Sequence, residues 1–372
     1  MIDDRELLER AVRSFAPEPG IVERVYDRRR RRQRNRRIGA LALALVIALV
    51  AMGGALQAFR HGAVPARPPG VQNGRIAFVS PGQGDDRDRL FTMEPDGSGL
   101  RSVADLRAEY PAWSPDGSTI AFDTGSVIGT RDWSTATGHV YTVRPDGSGL
   151  RQVTRGPGAE LAPAWSPDGT QLAVTGVRQG DRPPGIFIVD VETGGLRPVT
   201  ANPYSGQADK EPAFAPDGNQ IVFVRERQLA ATGAVNNLAA LFIVGVDGTG
   251  LRRLTPWQAA VGTPSWSPGG STIVFRGGTL SPDSTSQLFA IAPDGTGLRQ
   301  LTTGLTAASF WPSWSPDGTR IVFTRWVFLP QNEGFRLYTI EADGSHLAPV
   351  SAAVTDEQNE PSWGPRPSGG GS

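Results

Sequence analysis

The stretch PSWSPDGTRIVF, residues 312–323, decides the fold of this chain because it is repeated. The tryptophan or phenylalanine of the motif recurs every 48 to 52 residues. A fixed period of this length is typical of proteins built from stacked repeats. The other copies begin at Pro111, Pro163, Pro212 and Pro264, and a truncated copy, PSWGP, begins at Pro361.

Each period also carries a second shared segment, such as LYTIEADGSHLAPVS at residues 337–351. A period therefore holds four short apolar runs that are rich in Val, Ile, Phe and Tyr and are separated by Asp-Gly turns. Asp-Gly favours tight hairpin turns because both residues tolerate positive φ. We predict one four-stranded antiparallel sheet per period, with strands A to D in chain order. Radial stacking of six such sheets predicts an all-β, six-bladed β-propeller.

The two ends of the repeat array complement each other. The first unit, from Gly74, has runs for strands B, C and D, but the PARPPGVQN segment before it is too proline-rich for an inner strand. At the other end, Pro361 to Trp363 forms an A strand with no strands after it. We predict that this last strand completes the first blade in a three-plus-one closure. The propeller then spans residues 74–364, and residues 365–372 form a disordered tail.

The repeated P-S-W-S-P-D-G-x-x-I-x-F pattern resembles that of the TolB-type propeller, a WD40-like PD40 repeat family, over residues 74–364. The resemblance implies the six-bladed fold. It implies less about activity, because one propeller scaffold hosts unrelated functions. We predict no counterpart of the α/β domain that precedes the propeller in TolB. The resemblance suggests an envelope protein or peptide as partner.

The first 73 residues have a different composition. Residues 28–37 contain eight arginines, and residues 38–59 contain 22 residues without a formal charge. That length is sufficient for a helix to cross a bilayer core of about 30 Å, and arginine is retained on the cytoplasmic side. We predict a single-pass membrane protein with a cytoplasmic N-terminus, an extracytoplasmic propeller and a linker at 60–73. A cleaved signal peptide is the alternative.

The basic tail before the predicted span offers its own interpretations. Residues 1–37 carry a net charge of about +5 and are predicted to be partly helical. Beside a membrane helix, Arg28 to Arg37 are expected to set topology and contact anionic lipid, and no nucleic acid is expected. The tail also leaves open a transmembrane signalling protein, in which ligand binding outside changes what the tail binds inside.

Residue types that carry catalysis are sparse. The chain has no cysteine, and its three histidines lie in no metal-ligand pattern. No G-x-S-x-G elbow or phosphate-binding glycine loop is present. We therefore predict a protein that is not an enzyme and that needs no cofactor and no metal. A lyase or hydrolase that uses carboxylates in the channel is the remaining catalytic alternative.

The strand order predicts two unlike faces. The A–B and C–D turns, which are short and mostly Asp-Gly, share one face, called here the turn face. The B–C loops and D–A connections, which are long and irregular, share the other, called here the loop face. Variable loops on a repeated scaffold are where recognition is usually built. We predict that the loop face binds the partner around the mouth of the central channel.

Candidate ligand-binding residues follow from this placement. Acids that end the D–A connections predict a negative rim that favours cationic ligands. Loop aromatics are suited to apolar peptide side chains or to stacking on sugar rings, so a cell-wall carbohydrate is the alternative ligand. The candidates are Glu109, Tyr110, Trp133, Glu160, Asp209, Lys210, Glu211, Trp311, Trp326, Phe328 and Glu360.

Overall fold

The computed structural model describes eleven stretches of the chain. They are residues 71–81, 88–125, 136–178, 183–200, 207–228, 237–258, 260–278, 286–304, 307–327, 334–350 and 357–367. Within these stretches the structure is all-β and contains 24 strands. None of the helices searched among the described residues is long and apolar enough to span a membrane. The predicted anchor at 38–59 and the tail at 1–37 lie outside the described residues.

The strands fall into six sets that match the six sequence repeats. Their bounds are β1 (Asn73–Pro81), β2 (Asp88–Met93), β3 (Arg101–Arg107), β4 (Glu109–Trp113), β5 (Ile120–Asp123), β6 (Val140–Val143), β7 (Arg151–Gln152), β8 (Ala159–Trp165), β9 (Gln171–Val177), β10 (Gly185–Asp190), β11 (Leu196–Pro198), β12 (Gln207–Phe214), β13 (Gln220–Gln228), β14 (Asn237–Gly245), β15 (Arg252–Arg253), β16 (Gly262–Trp266), β17 (Ile273–Gly277), β18 (Gln287–Ile291), β19 (Arg299–Gln300), β20 (Ala307–Trp314), β21 (Arg320–Val327), β22 (Gly334–Glu341), β23 (Ala348–Pro349) and β24 (Asn359–Pro365).

Six four-stranded antiparallel sheets form the blades of the propeller. Blades 2 to 6 use consecutive strands, from β4–β7 to β20–β23, whereas blade 1 has the order β24-β1-β2-β3. Ile76 pairs with Trp363 and Ala77 with Ser362 across the β1–β24 ladder. The predicted three-plus-one closure is therefore confirmed. The pairing of the two chain ends extends beyond the strands, since the Arg366 amide donates to the Gln72 carbonyl at 2.9 Å.

The core lies between neighbouring blades. In five of the six blades the phenylalanine of the B strand packs on an aromatic ring of strand C, as Phe223 does on Phe242 with ring centroids 5.9 Å apart. The motif tryptophan of strand A is also largely buried, and in blades 3 and 6 its indole reaches the previous blade. Trp314 Nε1, for example, donates to the Ser265 carbonyl oxygen at 3.2 Å. The interfaces before blades 3 and 6 thus combine apolar burial with a satisfied indole N–H, since Trp165 Nε1 makes the equivalent bond to the Ala112 carbonyl oxygen at 3.0 Å.

The turn face is built from repeated Asp-capped turns. In the C–D turn of blade 5, Asp294 Oδ1 accepts the Thr296 amide at 2.8 Å and the Thr296 hydroxyl at 2.7 Å. In the A–B turn of blade 6, Asp317 Oδ1 accepts the Thr319 amide at 3.0 Å. These bonds lower the pKa of both carboxyls, because they stabilise the ionised form. The recurring aspartates of this face therefore have a structural task.

Candidate functional site

A strained residue precedes the motif proline in every A strand. Its φ lies between 46 and 54°, although non-glycine residues seldom adopt positive φ and residues before proline are normally extended. The A–B ladder of every blade has a register shift at this point, so each A strand contains a β-bulge. The six residues are Glu360, Tyr110, Ala162, Glu211, Thr263 and Trp311, in order from blade 1 to blade 6.

The six bulges line a cavity of about 190 Å³ at the centre of the ring. Each blade contributes its strained residue, the motif proline and the alanine or serine that follows. Because blades 1 and 4 stand opposite each other in a six-membered ring, Glu360 and Glu211 approach the cavity from opposite sides. Four predicted site residues therefore meet in one cavity: Glu360, Tyr110, Glu211 and Trp311.

The backbone N–H of a bulge needs an acceptor, because the bulge removes it from the strand ladder. In two blades the acceptor is a side chain near the end of the previous blade's B strand. Asp123 Oδ2 accepts the Ala162 amide at 2.7 Å, and Thr175 Oγ1 accepts the Glu211 amide at 3.0 Å. Asp123 and Thr175 occupy the same position of their repeats.

Blades 1 and 4 have valine at that position, Val79 and Val224, and valine cannot accept a hydrogen bond. In these blades the glutamate of the A strand replaces the missing acceptor. The bonds are Tyr110 N to Glu360 Oε2 and Thr263 N to Glu211 Oε2, both 2.6 Å long. One oxygen of each channel glutamate is thus held by the bulge of the next blade, which fixes the carboxylate at the cavity wall.

Carboxyl groups around the joint between blades 1 and 2 have raised pKa values. Burial is the main cause for Asp88, Glu109 and Glu360, and the nearby acids add to it. Burial raises the pKa of Asp123 to about 8, despite two amides that donate to its carboxylate. The guanidinium of Arg107 opposes these shifts but does not cancel them. This part of the loop face has more buried carboxyls than countercharges.

The phenol of Tyr110 interacts electrostatically with both glutamates of the cavity, Glu211 and Glu360. Burial raises the pKa of its phenol well above the usual value, and the charges of Glu211 and Glu360 raise it further. Both carboxylates therefore act on the same hydroxyl group, although they belong to opposite blades. The cavity thus combines a neutral phenol with two carboxylates.

An aromatic cluster lies on the loop face of blade 6. Trp326 meets Phe335 with ring centroids 4.3 Å apart at an interplanar angle of 70°. Phe310 contacts Trp311 at 5.4 Å and Phe335 at 6.1 Å, and Trp311 lies 6.3 Å from Phe335. All four rings are partly exposed. The cluster joins the cavity through Trp311, which belongs to both.

Other predicted site residues are occupied in ion pairs away from the cavity. Asp209 is fully buried and binds Arg225 in a two-pronged contact of 2.5 and 2.7 Å. Glu160, also buried, receives Arg178 at 2.6 Å and His139 at 3.1 Å. These arginines neutralise the two acids, so neither acid adds net charge to the predicted negative rim.

Four predicted residues remain to be placed. Glu109 pairs with Arg107 at 2.6 Å, and Lys210 bridges Glu226 at 2.7 Å and Glu211 at 3.6 Å. Trp133 and Phe328 lie outside the described residues.

Sequence reasoning missed Asp123, whose only signal is an acid after the B-strand phenylalanine where other repeats have Val, Thr or Arg. It also missed Phe335, which carries no motif signal. Among the described residues no group of three or more acids and histidines is placed to hold a metal ion.

Comparison with known proteins assigns a family to this architecture. The family described as "TolB beta propeller domain", PD40, matches residues 67–367. The chain is 27% identical over 230 residues to "Uncharacterized peptidase YuxL" of Bacillus subtilis (strain 168), a match that covers 54% of this chain and 33% of that protein. It is 30% identical over 108 residues to "Tol-Pal system protein TolB" of Anaeromyxobacter dehalogenans (strain 2CP-C), covering 28% of this chain and 21% of that protein. The chain thus spans a third or less of either relative.

A solved structure shows the same fold. The chain is similar to the crystal structure of TolB from Acinetobacter baumannii, with a TM-score of 0.58 and 23% sequence identity. The similarity covers 78% of this chain and 66% of that one. At this level of identity the likeness concerns the fold.

Proposed function

Because this chain belongs to the TolB β-propeller family, we propose that it is a binding module that recognises an envelope protein or peptide through its loop face. The observation that carries the proposal is the aromatic cluster of blade 6, which is partly exposed and continues into the central cavity through Trp311. Aromatic side chains beside a pocket are typical anchors for protein partners. The Tol-Pal system named for one relative also favours a protein partner.

The ring geometry favours a peptide over a carbohydrate. Sugar rings stack on aromatic faces that lie open and parallel to them. In the cluster, Phe335 meets Trp326, Phe310 and Trp311 edge-on, at angles of 65 to 70°. Edge-to-face packing leaves a notched apolar surface that suits aliphatic or aromatic side chains. A cell-wall polymer is therefore the second candidate ligand.

The proposal includes a membrane anchor at residues 38–59, with the N-terminus in the cytoplasm. Asn73, at the start of β1, accepts the Asp317 amide of a blade 6 turn, so β1 begins on the turn face. The loop face, which this proposal assigns to the partner, lies at the opposite end of the blades. In the signalling variant of this proposal, that partner's binding is sensed by the arginine-rich tail.

A catalytic role is the remaining candidate, since two carboxylates and a phenol share the cavity and one relative is named a peptidase. The binding proposal explains the carboxylates differently, because each already accepts a bulge amide. Incubation of the full-length chain with casein and with polygalacturonate distinguishes a catalytic role from a binding role. We expect no product from either substrate, and a product lost on Glu211→Gln would establish the enzyme.

Capture on the immobilised full-length chain tests the binding proposal. Solubilised envelope material is treated with protease or with muramidase and then passed over wild-type protein, a Trp311→Ala, Trp326→Ala variant and a Leu298→Ala variant. Leu298 is an exposed turn-face residue and serves as the matched control. We expect protease-sensitive capture that the tryptophan variant loses and the control retains. Muramidase-sensitive capture, or equal capture by all three proteins, would contradict the proposal.

A further inference from the structure

Glu360 differs from the other acids of the loop face in its partners. Within the described part of the chain no lysine or arginine forms an ion pair with its carboxylate, and burial raises its pKa well above the usual value. Four of the other loop-face acids, unlike Glu360 and Asp123, each have a cation within reach. Those pairs are Glu109 with Arg107, Glu160 with Arg178, Asp209 with Arg225, and Glu211 with Lys210.

The surroundings of Glu360 are those of a receptor for a positive charge. Its neighbours in the cavity ring are Trp311 on one side and Tyr110 on the other. Aromatic faces attract ammonium and guanidinium groups, and the attraction grows when water is excluded. The Tyr110 amide holds Oε2 of Glu360, while Oε1 accepts no hydrogen bond from the described residues. Glu360, a residue of the cavity lining, thus has one carboxyl oxygen available and has an aromatic residue on either side of it in the ring.

We propose that Glu360, Trp311 and Tyr110 bind one cationic group, an ammonium or a guanidinium, that the partner inserts into the channel. The inference rests on the proposed function and specifies its ligand: the recognised segment has a lysine or arginine next to apolar side chains. The cation enters between Trp311 and Tyr110 and pairs with the carboxylate. The neighbouring apolar side chains pack on Phe335 and Trp326.

Charge complementarity supports this occupant. The acids nearest to Glu360 are Glu109, Asp123 and Asp88, whose charges all raise its pKa. A cation in the cavity would stabilise the ionised form of each group. An anionic group would disfavour the ionised form of these carboxyls further. A neutral group would leave the Glu360 carboxyl buried without a countercharge.

Selection from a random heptapeptide library displayed on phage tests the proposal. The full-length chain is the bait, in wild-type form and as Glu360→Gln and Glu192→Gln variants. Glutamine retains an acceptor for the Tyr110 amide, so Glu360→Gln preserves the bulge and removes only the charge. Glu192, an exposed residue of a turn, is the matched charge-neutralising control. In a parallel arm, calorimetry measures the binding of spermidine, which distinguishes a free amine from a peptide side chain.

We expect wild-type protein to enrich peptides with a lysine or arginine beside apolar residues. Their affinity should fall about 10-fold to 100-fold in Glu360→Gln and remain unchanged in Glu192→Gln. Enriched peptides without a basic residue, or with equal affinity for Glu360→Gln, would overturn the cation site and leave the proposed function standing. Spermidine binding that requires Glu360, without any enriched peptide, would support the cation site and overturn protein recognition. Absence of both would overturn both.

Discussion

The two faces of the propeller use carboxylates in opposite ways. On the turn face, aspartates such as Asp294 accept bonds from their own turns, and their pKa values are lowered. On the loop face, Asp123 and Glu360 are buried near other acids, and their pKa values are raised. The turn face thus gains stability from its charges, whereas the loop face holds buried carboxyl groups whose ionised form an added cation would stabilise. The difference indicates which face is built for a partner.

The dependence of stability on pH should reveal this division most strongly. A raised pKa means that the folded state binds the proton more tightly, so stability from Asp88, Glu109, Asp123 and Glu360 is complete below about pH 4. This stability is lost as pH rises toward 8. The free energy of unfolding falls by about 1.4 kcal/mol per pH unit for each proton that the folded state holds and the unfolded state has released. Urea unfolding at pH 5, 6, 7 and 8 should show a declining free energy of unfolding.

Below about pH 4 the turn face should reverse the trend. Lowered pKa values stabilise the fold above the ordinary aspartate pKa, and that stability is lost as pH falls. We therefore expect greatest stability near pH 5. The Asp123→Asn variant should show a shallower decline between pH 5 and pH 8 than wild type. A stability that rises over that interval, or an unchanged slope in the variant, would remove the electrostatic distinction between the faces.

Removal of one buried acid should cost more on the loop face than on the turn face. Asp209→Ala leaves the Arg225 guanidinium without its partner inside the protein, which should lower the free energy of unfolding by about 3–5 kcal/mol. Asp294→Ala, at an exposed turn, should cost much less. Chemical denaturation of both variants measures the difference. Equal costs would show that the buried pair is not special.

A bulge amide is bound either by a B-strand side chain or by an A-strand glutamate, so one acceptor should compensate for loss of the other. Glu211→Ala deprives the Thr263 amide of its acceptor, which should cost about 1–3 kcal/mol. Val224→Thr places a hydroxyl where Thr175 has one in the previous blade, so the double variant should recover part of that loss. A double-mutant cycle from denaturation midpoints gives the coupling energy. If the free-energy changes of the two single variants simply add in the double variant, the two side chains are not alternative acceptors for the Thr263 amide.

Much of the fold could be predicted from the sequence because the same pattern of strands and turns recurs along the chain. The closure of blade 1 was predictable, since the first unit lacks an A strand and the last motif copy, from Pro361 to Trp363, supplies one. The role of Glu360 was not, because it depends on Val79, some 280 residues away, failing to supply an acceptor. Asp209 was predicted to line the mouth, but a register-dependent contact with Arg225 buries it. Local patterns give strands and turns, whereas side-chain partners across blades depend on the completed ring.

Photo-crosslinking from the two faces tests the central claim most directly. Benzoylphenylalanine would replace Trp326 on the loop face or Leu298 on the turn face of the full-length chain in living cells. We predict a discrete crosslinked protein from position 326 and none from position 298. The same adduct from position 298, or adducts from that position alone, would contradict the assignment of recognition to the loop face.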